Sequence, residues 1–214
     1  MIPRRALILG LAATLAILQV SAWANTPTDQ LRIALEEVIR ILDDPSLKPK
    51  TKEKERQALV RAAVSGLFDF LEIARRVLGR HWRPLSQQER EEFVSLFRAF
   101  LERIYLPKIA LYQGERIRFV GESVDGNFAE VRSLLITRQG QEIPVAYRLD
   151  RRDGHWLIFD VLVEGVSLVS NYRSQFNEII QRASFQELVR RIERKLTEPP
   201  SPNASRPEDL IRRQ

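Results

Sequence analysis

The stretch YRLDRRDGHWLIFDVLVEGVSLVSNYRSQF, from Tyr147 to Phe176, contains the change of periodicity that decides the fold. Up to Val163 apolar and polar residues follow a period of two, which is typical of β-strands, and RRDG predicts a tight hairpin turn. After Gly165 the apolar residues recur at helical spacing. The stretch therefore predicts a hairpin whose last strand passes directly into a helix.

The segments before this stretch extend the same strand pattern. Glycine-containing turns with the sequences DGN, RQGQE and RRDG separate the apolar segments, and glycine supplies the positive φ that such turns need. An antiparallel meander of about four strands results. The predicted strands are Arg116–Ser123, Phe128–Thr137, Ile143–Asp150 and His155–Val163.

Helical patterns flank this meander on both sides. An amphipathic helix is predicted from Thr28 to Leu42, and a second one contains Leu59, Ala63 and Leu67. Three further helices carry capping signals. These are a short helix from Asp69 to Gly79, the longest helix from Ser86 to about Pro107, and a last helix from Ser184 to Leu196. The order predicts an α+β fold in which several helices pack on one sheet.

The N-terminus predicts export from the cytoplasm. Two arginines precede an apolar run, and Ala22-Trp23-Ala24 gives the small residues of a cleavage site, so residues 1–24 are predicted to be a signal peptide. Residues 25–196 form one predicted domain, and the Pro- and Ser-rich residues 197–214 are predicted to be disordered. The chain has no cysteine, so its stability must come from its core.

The charge of the chain is basic, with a net value of +6 at pH 7. Export makes nucleic acid an unsuitable partner for such a protein. Anionic lipid surfaces and acidic protein partners fit better, and a merely solvated basic surface is the alternative.

Ser167 is a candidate nucleophile because it follows Gly165 at the end of a predicted strand. The sequence lacks the second glycine of a nucleophile elbow and has only two histidines, His81 and His155. A hydroxyl at a strand-to-helix junction is typical of a helix cap, and Gly165 permits the sharp turn. We therefore expect no enzyme, no cofactor and no metal site, although a mechanism that uses carboxylates alone stays open.

Two segments resemble the MlaC family, which carries phospholipid across the periplasm in the pathway that maintains outer-membrane lipid asymmetry. They are FDFLEIARRVLGRHWRPLSQQEREEFVSLFRAFLERIY and the opening stretch, and the likeness extends from Thr28 to Leu196. The resemblance implies a non-enzymatic periplasmic shuttle that holds acyl chains between sheet and helices. Its partners would be an outer-membrane lipoprotein complex of MlaA type and an inner-membrane ABC transporter with an MlaD-type component.

An apolar lipid-tail pocket needs walls that side chains do not fill, whereas the same residues could also interdigitate in a dense core. Four arginines could bind head-group phosphates or form an acidic-partner docking face, or they could simply be the solvent-exposed side of a short helix. They are Arg75, Arg76, Arg80 and Arg83. The candidate pocket residues are Phe97, Leu101, Ile104, Tyr105, Leu134, Ile136, Val145, Tyr147, Leu149, Val161, Val163, Val166, Val169 and Phe176.

Two rival functions stay open at this point. One is a small enzyme or binding domain for an apolar ligand, with Asp160 or Glu164 as a buried acid. The other is a periplasmic adaptor or holdase that binds protein segments in an apolar groove.

Overall fold

The computed structural model describes residues 26–198, so the predicted signal peptide and nearly all of the predicted tail lie outside the described residues. Within residues 26–198 no helix combines the length and the apolar character that a membrane crossing requires. The helices are α1 Pro27–Asp43, α2 Glu53–Val64, α3 Phe70–Leu78, α4 Gln87–Ile109, α5 Leu168–Arg182 and α6 Phe185–Thr197. The strands are β1 Arg116–Asp125, β2 Phe128–Ile136, β3 Glu142–Arg152, β4 His155–Val163 and β5 Val166–Ser167.

The predicted helix caps are confirmed. The Asp69 carboxylate accepts from the backbone N–H of Glu72, and Gly79 ends α3 at a φ of +54°. Ser86 and Glu89 form the reciprocal capping box of α4. Pro107 lies inside α4, which ends two residues later at Ile109.

The sheet is an antiparallel meander in the order β1-β2-β3-β4-β5, which confirms the predicted α+β class. The fifth strand, β5, has only two residues and pairs with the end of β4. A strand this short has no periodicity, which is why the sequence predicted four. Glu164 and Gly165 form the turn between β4 and β5 and both have positive φ.

The register divides the sheet into two faces because successive side chains point to opposite sides. One face packs on Leu31 of α1 through Val131, Leu149 and Ile158, and we call it the α1 face. Pairing places on this face Ile117, Phe119, Ser133, Leu135, Ile143, Val145, Tyr147, Val161 and Val163. The opposite face carries Arg132, Leu134, Ile136, Arg148 and Asp160.

The buried apolar residues fall into three clusters. The largest is a helical bundle of α3, α4, α5 and α6, in which the rings of Phe97 and Phe176 lie 5.3 Å apart at 72°. The second joins the α1 face of the sheet to Leu31. The third joins the second half of α1 to α2 and to Leu106 near the end of α4.

Candidate functional site

The division of the core is the first unusual feature of the site. A domain of this size normally has one contiguous core with small satellites. Here α4 contributes to the first and third clusters, α1 to the third and second, and β4 to the second and first. The three clusters share elements only pairwise, so α1, α4 and the sheet do not meet in one common cluster.

The long helix α4 packs on other helices along its length. Its backbone comes closest to α2, α3 and α6, and its phenylalanine rings pack on Tyr172 and Phe176 of α5. A short connection from Ile109 to Arg116 then leads into β1, so the chain holds the last turns of α4 beside one end of the sheet.

Five of the candidate strand residues share this α1 face, namely Val145, Tyr147, Leu149, Val161 and Val163. Their exposure changes along the sheet. Leu149 is 0% exposed beneath α1, Tyr147, Val145 and Val161 are partly buried, and Val163 is 46% exposed. The α1 face is therefore apolar along its length, closed at one end and open at the other.

Leu134 and Ile136, the other two candidate strand residues, lie on the opposite face. Leu134 pairs with Pro144, so its side chain points away from the side that carries Val145 and Leu135. The expectation that these two residues share a surface with the other five is wrong. β2 is apolar on both faces at this point, and alternation alone does not reveal which face a helix covers.

The register adds three residues to the open end that the sequence reading missed. Ile117, Leu135 and Ile143 stand side by side on the α1 face of β1, β2 and β3, and each is only partly buried. The sequence could have revealed them if the length of the turn had been used to fix which residues of RIRFVGES and RSLLI stand opposite each other. They lengthen the apolar surface at its open end.

The helical candidates divide into packed and peripheral residues. Phe97 and Phe176 are 1% and 0% exposed inside the bundle, and Val169 is also buried there. Leu101 and Ile104 each retain 8% exposure, and Tyr105 is partly buried against the same bundle. Val166 is 64% exposed at the β4–β5 turn. Leu101, Ile104 and Tyr105 thus lie in the last turns of α4 and pack in or against the helical bundle.

The buried phenol hydroxyls of this part of the fold are uncharged. The hydroxyl of Tyr147 is hydrogen-bonded to Ser133, whose own hydroxyl lies 3.5 Å from the backbone oxygen of Val145. Burial raises the pKa of Tyr147, and the Ser133 hydrogen bond offsets this shift only in part. Burial likewise raises the pKa of Tyr172 far above its ordinary value, with a further contribution from Tyr105. The phenols therefore stay neutral, as an apolar ligand requires.

The candidate arginines Arg75 and Arg76 lie on α3 and are engaged in an ion-pair network. Both contact the buried carboxylate of Glu72, at 2.5 and 2.6 Å. Arg152 lies 3.4 Å from the Glu72 carboxylate, and it also forms an ion pair with Asp69 at 2.9 Å. Burial acts to raise the pKa of Glu72, but the hydrogen bonds from Arg75 and Arg76 outweigh it and leave the pKa below its ordinary value.

The other two candidate arginines are exposed. Arg80 donates to the side-chain oxygen of Asn177 at 3.0 Å, which also contacts His81. Arg83 is exposed, and its backbone oxygen accepts from Arg90. None of the four arginines belongs to the α1 face, and their role in head-group binding or docking stays a prediction.

Ser167 caps α5, as the sequence predicted. Its hydroxyl oxygen accepts from the N–H of Ser170 at 3.0 Å and donates to Asp160 at 2.6 Å. The second oxygen of Asp160 accepts from the N–H of Val169 at 3.0 Å. The Ser167 hydroxyl and the Asp160 carboxylate thus join β4 to α5, and the hydrogen bonds at this junction satisfy both oxygens of the buried Asp160.

The alternative of a buried acid at Glu164 is wrong, because Glu164 is exposed at the β4–β5 turn with a φ of +51°. In the part of the chain that the structure describes, no group of three or more His, Cys, Asp or Glu residues is placed to hold a metal ion.

Comparison with known proteins agrees with this architecture. A family model described as MlaC protein matches residues 33–194. The binding protein MlaC of the intermembrane phospholipid transport system of Haemophilus influenzae is 23% identical over 129 residues, which cover 58% of this chain and 60% of that relative's length. The toluene tolerance protein ttg2D of Pseudomonas putida is 24% identical over 181 residues, or 84% of this chain and 83% of ttg2D.

A solved structure shows the same fold. It is the phospholipid-binding protein of Ralstonia solanacearum in complex with a phospholipid. The TM-score is 0.68 at 21% identity, and the match covers 79% of this chain and 97% of that one.

Proposed function

The chain belongs to the MlaC family, and we propose that it is a periplasmic carrier that binds the acyl chains of a phospholipid. Residues 1–24 direct its export, and residues 25–196 form the lipid-binding domain. The relatives named above are a phospholipid transport component and a phospholipid-bound protein, which supports this choice of ligand.

One observation carries the proposal, namely the apolar α1 face that is packed at one end and uncovered at the other. The acyl chains lie against Val145, Tyr147 and Val161 of the sheet, and Leu101, Ile104 and Tyr105 of α4 face them across the region between the clusters. The head group stays near the exposed Val163. Leu134 and Ile136, which point to the other side, take no part.

The driving force is the removal of the acyl chains from water. Each methylene gains about 0.8 kcal/mol on burial, so one long acyl chain gains roughly 12 kcal/mol. A free phospholipid therefore does not cross an aqueous compartment at a useful rate. A surface that offers comparable burial makes the membrane and the carrier nearly equal in free energy, and small docking energies then suffice to load or unload it.

The residues of this chain supply binding and no covalent chemistry. The side chains of Ser167 and Asp160 are hydrogen-bonded at the β4–α5 junction, and the neutral hydroxyls of Tyr147 and Ser133 are hydrogen-bonded to each other. Direction must come from the partners. These are an outer-membrane complex of MlaA type and an inner-membrane ABC transporter with an MlaD-type component.

The experiment that tests the function is organic extraction of the exported, purified protein followed by mass spectrometry. The expected result is phospholipid in a fixed ratio to protein, and uptake of fluorescent phospholipid from vesicles by the delipidated protein. Protein that contains no lipid and takes none up would contradict the proposal. Co-purified peptide in place of lipid would support the adaptor alternative.

A further inference from the structure

A second apolar groove lies on the outside of the helical bundle, between α4 and α6. Its floor is formed by Phe93, Leu96 and Ala99 of α4 and by Phe185, Val189 and Leu196 of α6, and its volume is about 470 Å³. Small-ligand sites span about 300–1,000 Å³, so the groove has room for a few side chains. It lies away from the α1 face and plays no part in the proposed lipid site.

The rim of this groove is acidic. Glu89, Glu92 and Glu193 line it together with Ser95. The Glu89 carboxylate is used by the capping box with Ser86. The Glu92 carboxylate accepts from the neutral side-chain amide of Gln88 and forms no ion pair within residues 26–198. Glu92 and Glu193 are therefore suited to bind cations that flank an apolar segment.

The end of the chain combines apolar and basic residues, although Glu208 and Asp209 directly precede them. Leu210 and Ile211 are the apolar pair of the segment 199–214, and Arg212 and Arg213 follow them directly. This segment begins where α6 ends, and Arg103 of α4 holds the backbone oxygen of Glu198 there. The attachment point thus lies at one end of the same groove.

The chain length permits the segment to return along the groove. α4 and α6 run in the same direction, because Phe185 contacts Phe93 at their beginnings and Glu198 contacts Arg103 near their ends. The distance along α4 from Arg103 back to Glu92 is about three helical turns, or roughly 17 Å at about 1.5 Å per residue. Residues 199–209 span at most about 36 Å when extended, at about 3.3 Å each.

We propose that the groove between α4 and α6 is the docking site of the chain's own C-terminal segment, with Leu210 and Ile211 on the apolar floor and Arg212 and Arg213 paired with Glu92 and Glu193. The tether raises the local concentration of the segment, so a weak pair of contacts suffices to occupy the groove. The proposal does not depend on the lipid-carrier function.

Disulfide trapping tests it directly, because the chain contains no cysteine. Ser95→Cys places a thiol in the groove and Asp209→Cys places one beside Leu210. The matched control keeps Asp209→Cys and moves the partner thiol to Ser123→Cys, an exposed position on β1, which packs on β2 and α1. We expect the groove pair to form an intramolecular disulfide at least tenfold faster than the control pair.

Charge reversal supplies the second readout. Glu92→Arg with Glu193→Arg should slow the trapping of the groove pair at least tenfold, and adding Arg212→Glu with Arg213→Glu should restore it. Equal rates for the groove and control pairs, or rates unaffected by charge reversal, would overturn the proposal. Disulfides that link two molecules would assign the groove to a second copy of the chain instead.

Discussion

Placing a carboxylate at Leu135 is the most informative single change, because its neighbour provides a control of the same residue type. Leu135 lies on the α1 face and Leu134 on the opposite face, and both are partly buried in β2. Leu135→Glu introduces a charge where we place the acyl chains. Leu134→Glu introduces the same charge in the same strand without touching them.

The magnitude follows from the pKa of the new group. An acyl chain that covers the carboxylate removes it from water. Protonating the carboxylate then costs less free energy than burying its charge. Protonating a glutamate of ordinary pKa, about 4.3, costs about 3.7 kcal/mol at pH 7, since each pKa unit is worth about 1.36 kcal/mol. That figure corresponds to a loss of lipid affinity of up to about 500-fold. The loss shrinks as the pH falls towards about 4.3, because the neutral acid then forms without cost.

The assay is retention of fluorescent phospholipid by the purified variants between pH 7 and pH 5, with circular dichroism as the control for folding. Leu135→Glu should fold, release lipid at pH 7 and regain part of it at pH 5. Leu135→Gln should show a smaller loss without pH dependence, and Leu134→Glu should retain lipid. Loss of lipid in Leu134→Glu with retention in Leu135→Glu would refute the assignment of the faces.

Three further changes separate structure from transport. Ser167→Ala should lower the free energy of unfolding by about 1 kcal/mol through the lost cap, as measured by urea denaturation, and leave lipid binding intact; loss of binding at unchanged stability would contradict the capping role. Glu72→Gln should destabilise the protein at pH 7, because the depressed pKa of Glu72 contributes stability that is fully present above its unfolded pKa, about 4.3, and is lost as the pH falls through the folded pKa; a difference from wild type that does not shrink as the pH falls below about 4.3 would refute this. Arg80→Glu combined with Arg83→Glu should leave lipid retention unchanged, since neither residue belongs to the α1 face; lost retention would return these arginines to head-group binding.

The local structure was largely predictable because its signals are local. Asp69, Ser86 and Ser167 cap helices through contacts with residues three positions away, and the alternation of apolar and polar residues revealed each long strand. The sequence did not predict β5, because a strand of two residues shows no alternation of apolar and polar side chains.

The site was predictable only in part because its geometry depends on distant residues. Strand alternation grouped Val145, Tyr147 and Val161 correctly, but β2 is apolar on both faces and gave no reason to prefer Leu135 over Leu134. The ion pairs that occupy Arg75 and Arg76 are local, whereas the contact of Glu72 with Arg152 joins residues 80 positions apart. No spacing rule reveals a partner at that separation.

The most direct test of the central claim is to locate the acyl chains on the protein. Phospholipid with a nitroxide on its acyl chain, bound to the isotopically labelled protein, broadens the NMR signals of nearby amides. The account predicts the strongest broadening on the α1 face, at Val145, Tyr147 and Val161, and in α4 around Ile104. Broadening confined to the α4–α6 groove around Val189, or spread evenly over the surface, would contradict it.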